Sequence, residues 1–200
     1  DLKGKKIANK IGSGSYRALG DWCAKNNCKV SDFQILNTAP ASIIAALESG
    51  SVDAGIWFAP ITSVAVHKGV AKILMDFKGA NLGQATWTAR KAYADKNPDV
   101  LTRFMAATID AQELILKDPK KGAELLSQGL KKLGRNLPVE VLEIGINDFV
   151  YEHGLTPKKE QVFDAIFTAL KARGKYRGDK PDFKQFMNDK YYNAALKMRK

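Results

Sequence analysis

The chain has 200 residues, 45% of them hydrophobic and 26% charged, and carries a formal net charge of +11. That is the composition of a folded globular chain able to bury a core, with no apolar run long enough to span a bilayer as a helix. The 32 basic residues are interspersed with 21 acids, and there is no zinc-finger spacing, RNP-type aromatic motif or base-reading basic helix, so the charge reads as a solvated face that attracts small anions, not a nucleic-acid site.

The apolar run at residues 7–10 predicts a first strand, and the pattern over 15–25 predicts a helix. Between them lies Gly12-Ser13-Gly14-Ser15-Tyr16. Glycines allow a tight turn and a close backbone approach, and a serine caps the helix that follows. The unpaired N–H groups of that first turn, backed by the positive end of the helix dipole, form a cradle for a carboxylate, sulfonate, nitrate or phosphate. The same residues also describe a plain strand-to-helix turn. Residues 33–36 predict a second strand ending at Asn37-Thr38-Ala39-Pro40, with a helix over 41–49 stopped by Gly50. Strands at 52–57 and 71–75 flank a helix that opens at Pro60 and closes near Gly69. Strands alternating with helices imply parallel pairing through right-handed crossovers.

From about residue 90 the pattern is helical. Asn97-Pro98-Asp99, Asp118-Pro119, Pro138 and Thr156-Pro157 mark four helix starts. Leu101, Phe104, Thr108, Ala111 and Ile115 form the expected apolar stripe of the longest one. The tail aromatics Phe183, Phe186, Tyr191 and Tyr192 are expected to pack on neighbours.

Cys23 and Cys28 are the two cysteines. With no second Cys pair or His cluster near them, they predict no metal site. A disulfide at the end of the first helix and a pair of buried thiols are both compatible with the spacing. His67 and His153 lack motif partners. Neither a Gly-x-Ser-x-Gly elbow nor a P-loop ending is present. No catalytic residue, metal or cofactor is expected.

The run Asp1-Leu2-Lys3-Gly4-Lys5-Lys6-Ile7, then Gly12-Ser13-Gly14-Ser15, then 45–54 with Trp57 and Pro60, then 94–100 and Asp118-Pro119, resembles the solute-binding proteins of ABC importers in the nitrate, sulfonate, taurine and thiamine-pyrimidine group. The resemblance implies an α/β fold of the periplasmic binding protein type II kind. Residues 1–80 would be lobe two, and 84–200 the return crossing and C-terminal helices of lobe one. Roughly a third of a typical member would precede residue 1. It further implies a non-enzymatic, periplasmic or otherwise extracytoplasmic protein that captures a small anionic or aromatic solute between two lobes. The implied partners are that solute and a membrane permease, with no nucleic acid. With part of a lobe absent, weak or no ligand binding by this chain alone is expected. Two other functions share the architecture: an enzyme related to thiamine-pyrimidine synthesis, and the effector domain of a regulator.

In open parallel sheets, ligands sit beyond the carboxyl ends of the strands. That places Gly12, Ser13, Gly14 and Ser15 at an anionic head group. Tyr16 offers either a ring contact or packing of the first helical turn. Asn37 and Thr38 either hydrogen-bond the ligand or form a turn ahead of Pro40. Trp57 either walls the ligand or closes the core at a strand end. Arg90 either clamps an acid in bidentate fashion or begins a helix at the surface.

Overall fold

The computed structural model describes residues 2–77, 86–149, 151, 157–172, 174–185 and 187–199. They fall into two compact units, 1–82 with 119–149, and 83–118 with 150–200.

In the first unit, three parallel strands lie in the order β2-β1-β3. They are β1 (Lys6–Asn9), β2 (Gln34–Asn37) and β3 (Ala54–Gly55). Central β1 aligns Asn9 with Asn37 on one side and Ala8 with Gly55 on the other. Its residues Ile7, Ala8 and Asn9 are buried, as expected of a parallel strand covered on both faces. The third strand is shorter than the predicted 52–57. Its pairing with β1 still extends from Asp53, whose N–H donates to the Lys6 carbonyl at 2.8 Å, to Ile56, whose N–H donates to the Ala8 carbonyl at 2.9 Å.

Helix α1 (Gly14–Lys25) buries Ser15, Ala18, Leu19 and Cys23. After β2, Pro40–Ser42 forms one 3₁₀ turn that leads into α2 (Ile43–Glu48). The expected single helix is therefore split, because Pro40 sits at the first position and the tighter turn comes first. Ala8, Ile43 and Val52 form a core against which Ala46, Leu47, Trp57 and Ile61 pack. Helix α3 (Ile61–His67) follows. Two later helices, α6 (Pro119–Lys132) and α7 (Val139–Asn147), complete this unit. The first pairs with the second, and α7 also packs on α3; Val141, Leu142, Gly145 and Ile146 are buried.

The strand expected at 71–75 does not form. The segment belongs to no sheet, and Ile73 and Leu74 are 61% and 60% exposed. A short apolar segment becomes a strand only against a partner edge, and no described strand pairs with it.

The second unit contains α4 (Lys91–Lys96), α5 (Pro98–Lys117), α8 (Pro157–Ala172) and α9 (Lys190–Met198). Asn97 ends α4 and begins α5, with Pro98 at the first helical position. The apolar seam is Ala106, Ile109 and Ala195, with Met105, Tyr192 and Leu196 against it. This differs from the expected stripe, since Phe104 is 44% exposed and Ala111 is exposed. Phe104 instead meets Trp87 edge-on, with ring centroids 5.0 Å apart. The Tyr191 hydroxyl donates to the Ala94 carbonyl at 2.9 Å. Arg199 donates to Asp110 at 2.7 Å and to Glu113 at 3.1 Å, fastening α9 to α5. Phe183 packs on Phe163. Phe186, His153 and the Thr156 cap lie outside the described residues.

Gly55 is where the first unit's core is most closely drawn together. A Cβ built there would stand 2.8 Å from Ile43 Cγ2 and 3.5 Å from Leu47 Cδ1. Ile43 is β-branched and buried, so it yields little. Gly55→Ala is expected to destabilise the chain by about 1–3 kcal/mol, read as a lower urea midpoint; an unchanged midpoint would show that α2 moves away freely.

Candidate functional site

The corner between β1 and α1 is built by backbone geometry first. Gly12 sits at φ +85° with open space around its Cα. Glycine is needed there for the left-handed turn and not for room. The Ser13 N–H closes the turn onto the Lys10 carbonyl at 3.1 Å. Ser13 then caps α1: its backbone is extended, and its Oγ accepts from the Tyr16 N–H at 3.2 Å. Among the described residues, no bond takes up the N–H groups of Gly14 and Ser15. The first turn of α1 contains no acidic side chain. Two aligned amide donors and the positive helix end are thus left without an internal anion.

Beneath this turn lies Asn9, the last residue of β1, fully buried at 0% exposure. Its Oδ1 accepts from Ser15 Oγ at 2.9 Å and lies 3.5 Å from Ser13 Oγ. The two serine hydroxyls are 2.9 Å apart. Asn9 Nδ2 has no partner. An unmatched buried donor costs about 1–3 kcal/mol, so the corner holds polarity that the core does not require. Ser15 turns its hydroxyl inward to Asn9 and is itself buried. The donor it leaves available is its backbone N–H.

Parallel pairing brings the ends of β1, β2 and β3 to the same side of the sheet. Asn37, opposite Asn9, accepts the Ile11 N–H through Oδ1 at 3.2 Å. The Thr38 N–H donates to the Asn9 carbonyl at 3.1 Å, and its hydroxyl folds back onto the Leu36 carbonyl at 2.9 Å. Asn37 and Thr38 therefore brace the turn. Trp57 follows β3, packs half-buried against the Ala8–Ile43–Val52 core, and lies 5.7 Å from the Phe58 ring. Tyr16 is half-buried in the first turn of α1. Arg90 is exposed at the N-cap position of α4, in the second unit.

Asn9 was missed in the sequence. The available signal was a polar side chain ending an apolar strand directly before a glycine turn, where a buried parallel strand otherwise carries apolar residues. His67 is exposed at the end of α3. Among the described residues, no group of His, Cys, Asp or Glu is placed to hold a metal ion, and no helix is long and apolar enough to cross a membrane.

Comparison with known proteins places this geometry in a setting. The family described as NMT1/THI5 like matches residues 1–122. A curated relative from Escherichia coli (strain K12), assigned by its name to binding aliphatic sulfonates, is 27% identical over 195 residues, covering 88% of this chain and 60% of the relative. The crystal structure of the periplasmic aliphatic sulphonate binding protein SsuA from Escherichia coli superposes with a TM-score of 0.72 at 23% identity, over 96% of this chain and 65% of that one. The alkanesulfonate-binding protein SsuA from Xanthomonas axonopodis pv. citri, bound to MOPS, gives 0.70 at 25% identity, over 88% of this chain and 60% of that one. The fold is accordingly the α/β fold of periplasmic binding proteins, and these relatives are named as binding proteins. The chain spans 60% of the curated relative's length.

Ser13→Ala removes the cap of α1 and the acceptor of the Tyr16 N–H. A loss of about 0.5–2 kcal/mol is expected in thermal or urea unfolding, with Ser13→Asn close to the parent. Equal stability of Ser13→Ala and the parent would mean that the cap is not holding the corner.

Proposed function

The chain belongs to the NMT1/THI5-like family, and from that premise we propose that it is solute-binding sequence of an ABC importer, capturing a small alkanesulfonate outside the cytoplasm for a membrane permease. The observation that carries this reading is the pair of unclaimed N–H groups of Gly14 and Ser15 over the Asn9–Ser13–Ser15 network. A sulfonate spreads one negative charge over three weakly basic oxygens and carries no proton at neutral pH. Neutral amide donors at a helix N-terminus suit it without a paired cation. Removing those donors from water strengthens them, since a preorganised site does not reorganise on binding. The net charge of +11 supplies long-range attraction for anions.

In this reading the ligand-facing lobe is residues 1–80, to which α7 adds its packing on α3 and α6 its packing on α7. Helices α4, α5, α8 and α9 belong to the other lobe. Asn9 is a positioning residue that orients both serines from below. Gly12 sets the turn, while Asn37 and Thr38 hold it to β2. Trp57 and Tyr16 supply apolar walls for the alkyl part of the solute. Relatives that the chain matches over most of its own length carry names or titles referring to aliphatic sulfonates or to an alkanesulfonate, which supports the choice of sulfonate over nitrate or carboxylate.

The test uses charge at the cap. Asp and Asn cap helices about as well as Ser, so Ser13→Asp and Ser13→Asn both keep α1. Only the aspartate places a negative charge where the sulfonate must sit. Methanesulfonate, taurine and MOPS are expected to raise the melting temperature in a saturable way at millimolar concentration, as ligand binding to the folded state requires. Ser13→Asn keeps the effect, and Ser13→Asp weakens binding by about tenfold or more, equivalent to about 1.4 kcal/mol. Affinity for methanesulfonate is expected to be flat from pH 5 to 9, since neither that ligand nor the amide and hydroxyl donors titrate there. An undiminished affinity in Ser13→Asp, or no saturable effect of any sulfonate, would contradict the proposal.

A further inference from the structure

Helix α1 ends in a motif that has no part in the ligand corner. The Asn26 and Cys28 N–H groups both donate to the Cys23 carbonyl at 3.1 Å, and Asn27 sits at φ +52°. A six-to-one bond across a left-handed residue is the Schellman closure of a helix, and it sets the side chains of its first and last residues against each other. Here those two residues are both cysteines, and both carry free thiols. Cys23 is 2% exposed and faces the core, while Cys28 is half-buried and reaches solvent.

We propose that Cys23 and Cys28 are a redox pair, closed to an intramolecular disulfide by thiol–disulfide exchange with a low-molecular-weight disulfide of an oxidising compartment. The backbone supplies the proximity. Disulfides bridge Cα separations of roughly 4.4–6.8 Å, and the six-to-one bond holds the two residues side by side without any chain rearrangement. The order of attack follows from access. The Cys28 thiolate attacks one sulfur of the external disulfide, forming a mixed disulfide and releasing one thiolate. Cys23 then gives its proton to solvent and attacks the Cys28 sulfur, and the second thiolate leaves. Two cysteine thiols are oxidised, and one external disulfide is reduced to two thiols.

Burial, followed by the hydrogen bond and charge of Cys28 and the charge of Asp32, pushes the Cys23 thiol up to about 12. The Cys28 contributions disappear once Cys28 is in the mixed disulfide, while the larger contribution of burial remains, so Cys23 is the slower thiol throughout and its attack is the step that the enforced proximity must supply. Closure would clamp the C-terminal end of the helix whose N-terminal end carries the Gly14 and Ser15 donors. The inference does not depend on the nature of the ligand.

The test incubates the folded 200-residue chain in a glutathione buffer poised at about −200 mV, blocks free thiols by alkylation, digests with trypsin without reduction and reads the peptides by mass spectrometry. Cleavage after Lys25 and Lys29 separates the two cysteines. The expected product is residues 18–25 disulfide-linked to 26–29, lost on treatment with dithiothreitol and absent from Cys23→Ser and Cys28→Ser. Cys23→Ser should instead collect glutathione on Cys28. Asn27→Val, a β-branched residue disfavoured at positive φ, should lower the linked fraction several-fold at the same poise, and Asn27→Gly should keep it. Alkylation of both thiols in the folded parent chain, or a linked fraction in Asn27→Val equal to the parent's, would overturn the proposal.

Discussion

The proposed binding site hangs on two backbone amides that, among the described residues, have nothing to donate to. A helix begins with N–H groups that its own carbonyls cannot reach. Most helices settle the matter with side chains, water or an acidic first turn. Here Ser13 settles one, by accepting the Tyr16 N–H, and no acid is supplied in the first turn of α1. The N–H groups of Gly14 and Ser15 are therefore left without a protein acceptor among the described residues, at a helix end whose field is worth about 0.3–1 kcal/mol to an anion even where exposed.

The corner is rigid because several weak constraints agree. Gly12 permits the turn, Lys10 closes it and Asn37 holds the Ile11 N–H from the neighbouring strand. Asn9 lies at the carboxyl end of the central strand, so the sheet itself fixes the height of the serine hydroxyls. The polar network is buried and only partly satisfied, an arrangement that costs stability wherever it serves packing alone. In the proposed function, its position under a helix N-terminus gives that cost a purpose.

Much of this was legible from residues alone, and the reasons differ by element. Gly12-Ser13-Gly14-Ser15 announced a turn and a cap because both demands are local. Asn97-Pro98 and Asp118-Pro119 announced helix starts for the same reason, and α5 and α6 begin there. Long-range facts were less legible. The apolar content of 71–75 signalled a strand, but pairing depends on a partner edge that local sequence does not encode. The seam of α5 turned toward Ala106 and Ile109 because α9 brings Ala195 against them, a choice made 80-odd residues downstream. Asn9 was passed over because its role depends on Ser13 and Ser15 folding back above it. The resemblance to importer proteins supplied what composition could not: a reason for strand–helix repeats to be followed by sheetless helices.

The two ends of α1 divide the chemistry. One end leaves two amides without an acceptor among the described residues; the other sets two cysteines at the first and last positions of a helix-closing turn. The central claim concerns the first, and residue-resolved NMR tests it most directly. In ¹H–¹⁵N spectra of the chain titrated with methanesulfonate, the Gly14 and Ser15 amide resonances should move downfield and saturate together, with Ser13 and Tyr16 following by smaller shifts. Saturating shifts confined to other residues, with Gly14 and Ser15 unmoved, would contradict the account.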